Sequence, residues 1–115
     1  MTWTPGALAE RLGGDEALAL ELVSIFLAEY PNLLNAVHAS VARGDAQAIR
    51  RSAHALRGSV TNFVDEGPTA TLFAIERAGA EARLDAVPAL VGQLERELDA
   101  LVAAMRALGA DPCAS

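Results

Sequence analysis

Apolar residues recur at helical spacing along most of this chain, and the breaks between them fall at glycine, proline and aspartate, the residues that stop and start helices. A short first helix is expected over Pro5 to Leu12, closed by Gly13-Gly14. Asp15 follows as a candidate N-cap for a helix with Leu18, Leu22, Ile25 and Phe26 on one face, running to about Tyr30. Pro31 is expected to interrupt that helix or begin another, because proline brings no N–H and crowds the preceding turn. The next helix carries Leu33, Leu34, Val37 and Val41 and ends at Gly44, after which Asp45 can cap a helix from Ala46 to about Phe63. "VDEGPT" breaks the pattern. A further helix is expected from roughly Thr69 to Arg83, with Leu72, Ile75, Gly79 and Ala82 near one side; Gly79 there suits a close helix crossing better than a site. Asp85 can open the last helix, in which Leu94, Leu98, Leu101, Met105 and Leu108 repeat at spacings of four and three before Gly109 and Pro112 end it.

Short connections between amphipathic helices make neighbours antiparallel. The fold expected is therefore all-α, an antiparallel up-and-down four-helix bundle with one or two additional N-terminal helical segments. Residues 1–115 are expected to form one domain, with a core over about 8–108 and a tail at 109–115. Composition agrees: 52% of the chain is hydrophobic and only 4% aromatic, and the alanine and leucine behind that excess suit closely packed helices.

Composition also narrows the chemistry. The lone Cys113 allows neither an internal disulfide nor a thiolate metal cluster. "MTWTPGALAE" lacks the basic start and apolar run of an export signal, and no segment approaches ~18 uninterrupted apolar residues. A cytoplasmic, monomeric protein without a membrane role is expected. The net charge is −6 and there is no lysine, which argues against nucleic-acid binding, since that needs a basic face to displace counterions. The charge is uneven, however. Arg43, Arg50, Arg51 and Arg57 face a single acid, Asp45, between Arg43 and Gly58, so a basic island sits on an acidic chain.

His54 lies within that island. Ile49, Ala53, Leu56, Val60 and Phe63 form the apolar stripe of its helix, and at ~100° per residue His54 falls well outside it. The same step places Thr61 and Gln47 within ~20° of His54, Arg50 and Gly58 within ~40°, and Arg57 and Arg51 within ~60°. The histidine is thus central on the solvent face. Gly58 is conspicuous there, because a glycine inside a helix costs ~1 kcal/mol relative to alanine. A neutral imidazole is a competent nucleophile near neutral pH and can accept a phosphoryl group. Nearby arginines can offset its charge, and a position without a side chain one turn away lets a partner's site close over the ring. An exposed histidine is more often simply solvated, and His38, which has neither a glycine nor a basic cluster beside it, is read that way.

"AHALRGS", with the upstream "LGGDEALALELVSIFLAEYPNLLNAVHASVARGD" and the downstream "LDALVAAM", resembles the histidine-containing phosphotransfer (HPt) domain of multistep phosphorelays. The resemblance spans roughly Leu8 to Leu108 and centres on His54, Arg57, Gly58, Ser59 and Asn62. It implies a helical bundle whose histidine takes a phosphoryl group from a receiver-domain aspartyl phosphate and passes it to another receiver. His54 is then the phosphoacceptor, Arg57 the basic residue beside the phosphate, and Gly58 the clearance position. Partners are receiver domains of response regulators or hybrid histidine kinases, which supply Mg²⁺ and the acidic pocket, so the domain needs no cofactor of its own. Val64 departs from the family's frequent glycine, and "DEGP" after it is unusual. A histidine kinase would need an ATP-binding domain that a bundle of this length leaves no room for, and a metal-dependent activity lacks a ligand set. A helical adaptor or kinase inhibitor that keeps the fold without using the histidine is the alternative.

Overall fold

The computed structural model describes residues 8, 10 and 12–107. Four α-helices cover most of them: α1 (Glu16–Arg43), α2 (Ala46–Val60), α3 (Pro68–Ala80) and α4 (Val87–Arg106), with a 3₁₀ turn at Leu84–Ala86 before the last. The described residues contain no strand. At ~1.5 Å per residue, the 28 residues of α1 account for the 42 Å long axis of the molecule.

Much of the expected punctuation is in place. Asp15 caps α1, its Oδ1 accepting from the Leu18 N–H at 2.9 Å. Gly44 closes that helix in the left-handed conformation, φ 63°, and Asp45 caps α2 through the Ala48 N–H at 3.1 Å. With only two residues between them, α1 and α2 must reverse direction. Ser40 accordingly meets Ser52, Oγ to Oγ 3.2 Å, while Phe26 meets Phe63, ring centroids 5.1 Å apart. The apolar stripe of α2 is buried as expected: Ile49, Ala53, Leu56 and Val60 are at most 1% exposed.

Five expectations change. Pro31 does not divide a helix; it lies exposed inside α1. An internal proline costs ~3 kcal/mol, but Phe26, Leu27 and Tyr30 before it and Leu33, Leu34 and Val37 after it pack on one core, which keeps the two halves in line. The face of α1 is also displaced. Ala19, Val23, Phe26 and Leu27 are buried, whereas Leu18 and Ile25 are 38% and 46% exposed. "LALELVSIFL" is apolar nearly all round, so periodicity selects no single face. The uninterrupted α1 is long enough to cross a membrane and contains a window of mean hydropathy 1.4, although its buried side serves the bundle. Third, α2 ends at Val60 rather than near Phe63, and a turn follows; Phe63 and Val64, each 6% exposed, fold into the core. Val64 therefore packs inward.

Fourth, α3 stops at Ala80. Ala82 is exposed with φ 54°, and the Arg83 N–H donates to the Ala78 carbonyl at 2.8 Å, which is the ring closure of a helix C-terminus. Fifth, Asp85 sits within the 3₁₀ turn, and α4 starts at Val87 with Pro88 in its first turn and no side-chain cap. Leu94, Leu98, Leu101 and Met105 line the core as expected. Most of the predicted first helix, together with Leu108, Gly109 and Pro112, lies outside the described residues, although Leu8 is buried in the core cluster.

Gly79 is the close crossing of α3 with α2. A Cβ there would lie 2.8 Å from the Ala46 carbonyl oxygen and 3.0 Å from the Arg50 nitrogen. Backbone atoms cannot yield at such distances, so glycine lets α3 approach α2 and lay its polar side beside His54.

Candidate functional site

The site starts from the outer face of α2. Ala53 and Leu56, both 0% exposed, turn their side of the helix inward, which leaves His54 between them outward with its side chain 69% exposed. One turn on, Gly58 faces open space: a Cβ there would meet nothing within 4 Å. The two glycines of these neighbouring helices thus have opposite surroundings. Gly79 is filled by backbone and Gly58 by nothing.

α3 completes the site with a residue that the sequence pattern does not identify. Oε1 of Glu76 lies 2.8 Å from Nδ1 of His54, and the Glu76 side chain is only 12% exposed. The carboxylate also pairs with Arg57, whose Nε donates to Oε2 and whose Nη2 lies 3.4 Å from Oε1. A carboxylate only accepts, so the proton in the His54–Glu76 bond belongs to Nδ1. In the neutral ring the lone pair is then on Nε2, at the other edge of the exposed side chain. The guanidinium also rests over Phe73, Cζ 5.3 Å from the ring centroid, in the range of a cation–π contact. Phe73 itself is 49% exposed.

The other predicted residues fall around this group. Arg50 turns to Gln47, with Nε and Nη2 each 3.3 Å from Oε1, and Arg51 is exposed on the same helix. His38 is a surface residue of α1, its Nε2 3.5 Å from Glu95. Among the described residues no group of three or more His, Cys, Asp or Glu side chains could hold a metal ion. The basic island is thus less basic than its sequence suggests, because the arginine nearest the histidine is met by an acid from the next helix. Glu76 and Phe73 were missed because only tertiary packing brings them to His54. Phe73 did leave one signal, an aromatic beside the Leu72, Ile75 and Gly79 stripe and not on it.

The arrangement is that of a nucleophile held at one nitrogen and open at the other. A family model for the Hpt domain matches residues 21–104. Among solved structures, the chain is similar to histidine-containing phosphotransfer protein B from Pseudomonas aeruginosa PAO1, with 26% sequence identity, 90% of each chain covered and a TM-score of 0.81. No curated protein sequence matches.

Proposed function

Because the chain belongs to the Hpt family, which carries a phosphotransfer role in phosphorelays, we propose that His54 accepts a phosphoryl group from the aspartyl phosphate of one receiver domain and passes it to another. The observation that carries this reading is the exposed ring itself, 69% open to solvent: Nδ1 is engaged by Glu76 at 2.8 Å, which in the neutral ring leaves the lone pair on Nε2. In the transfer, that lone pair forms the N–P bond as the P–O bond to the receiver's aspartate breaks, and the electron pair of the broken bond leaves with the carboxylate. The Nδ1 proton stays in place. Positive charge gained by the ring is met by the Glu76 carboxylate. The return step to a second receiver is the reverse.

Gly58 supplies clearance for the incoming receiver, as the empty space at its Cβ position supports. Mg²⁺ and the acidic pocket belong to the receiver, and the chain makes no ATP-dependent transfer of its own. We place the protein in the cytoplasm as a monomer that serves response regulators or hybrid histidine kinases, with no nucleic acid or membrane as partner.

The test is to mix the protein with phosphorylated receiver domains and locate acid-labile, base-stable phosphate by mass spectrometry. His54→Gln should keep the far-UV circular dichroism of wild type, since the side chain is 69% exposed, and take up no phosphate. His38→Gln should be labelled normally. Labelling of the His54→Gln variant would refute the assignment.

A further inference from the structure

The family resemblance implies that Arg57 stands beside the phosphate, one turn from the acceptor. In this structure its guanidinium is committed to Glu76. Nε donates to Oε2 of Glu76, and Nη2 lies 3.4 Å from Oε1, a side-on, two-point grip that fixes the plane of the carboxylate. The same Nη2 is 3.4 Å from Nδ1 of His54, but that nitrogen already donates its proton to Glu76, so two donors face each other and no hydrogen bond joins them. The guanidinium therefore lies at the Nδ1 edge of the ring, whereas the phosphoryl group arrives at Nε2 on the opposite edge. Phe73 backs the guanidinium. Since Phe73 and Glu76 are three residues apart on α3, one helix holds the cationic head from two sides.

We propose that Arg57 is a positioning residue that acts through Glu76 and does not contact the transferred phosphoryl group. Glu76 has alternatives to the histidine: a carboxylate on a long side chain can rotate toward water, and nothing else described around Oε2 holds it. Arg57 removes that freedom and offsets the charge of a largely buried group. The result is a carboxylate aimed at Nδ1. This selects the neutral tautomer whose lone pair is on Nε2; in the other tautomer Nε2 carries the proton and cannot attack. The basic residue of the motif thus sets which nitrogen reacts. This inference rests on His54 as the acceptor and concerns how its reactivity is fixed.

A double-mutant cycle on single-turnover transfer from a phosphorylated receiver domain tests it. Arg57→Ala should slow uptake at least several-fold, and the Arg57→Ala, Glu76→Ala double variant should transfer no more slowly than Glu76→Ala alone. If removal of Arg57 slows transfer by the same factor in both backgrounds, the guanidinium acts on the phosphoryl group directly and the proposal fails. It fails equally if Arg57→Ala transfers at the wild-type rate. The second arm needs no Glu76 variant and no phosphate. In ¹H–¹⁵N spectra of the unphosphorylated protein, His54 should show the Nδ1–H tautomer, and Arg57→Ala should shift it to a tautomer mixture while far-UV circular dichroism stays that of wild type. An unchanged tautomer pattern in Arg57→Ala overturns the proposal. Because that arm reads the ring before any transfer, failure of all receivers to label the wild-type protein would refute the relay reading and leave the spectra to decide the role of Arg57.

Discussion

At the scale of single residues, the two helical glycines near the site make opposite predictions from the same chemistry. Gly58→Ala adds a methyl group where nothing lies within 4 Å, so the helix should gain up to ~1 kcal/mol. Gly58→Gln should also melt at or above the wild-type temperature, yet slow uptake from a receiver at least several-fold, because the longer side chain lies on the turn beside the imidazole. Gly79→Ala has the same helix-propensity gain, but its methyl group meets the Ala46 and Arg50 backbone. Overpacking of this kind costs ~1–3 kcal/mol, so the net change in a thermal or urea melt should be a loss. An early-melting Gly58→Gln, or a Gly79→Ala that melts above wild type, would contradict these assignments. His54 and Gly58 were legible in the sequence because helical periodicity alone places both on the outer face of one helix. Glu76 was not, because its relation to His54 depends on how two helices cross.

At the scale of elements, local punctuation was legible wherever one residue type does one job. Asp15, Gly44 and Asp45 cap or close helices as their chemistry requires. Two of the misses, Pro31 and Ala82, share a cause, since in each the bundle overrides a local preference. Pro31 sits inside α1 because both flanking turns are anchored in the core. The buried face of α1 was misread because too many of its positions are apolar. Ala82 marks the end of α3 although alanine favours helix, and it holds a φ of 54° that costs an L-residue ~1–2 kcal/mol. Ala82→Gly should relieve that strain and raise the unfolding free energy by ~0.5–1 kcal/mol, after allowance for the greater freedom of glycine in the unfolded chain. A loss of stability in a urea titration would show that the left-handed turn is not where strain resides.

At the scale of the whole molecule, the interior and the site divide α2 between them, with Ile49, Ala53, Leu56 and Val60 inside and His54 and Gly58 outside. The bundle class was readable from spacing and composition, but the reach of its core beyond the four helices was not. Leu8, ahead of α1, is 2% exposed and belongs to the core cluster. Leu8→Ala should therefore cost ~2–4 kcal/mol in a urea titration, as for other buried leucines, and a change under ~0.5 kcal/mol would show that this residue adds nothing to the core. The crossing at Gly79 has a wider consequence. Glu76 reaches the histidine only because its helix lies close enough to touch the Ala46 and Arg50 backbone. The short motif around His54 is consequently not a portable cassette. Grafted onto a helix of another scaffold, "AHALRGS" would carry the histidine, the arginine and the glycine, but not the acid that meets Nδ1 of the ring. A designer who wants that arrangement has to transplant an interhelical spacing along with a string of residues.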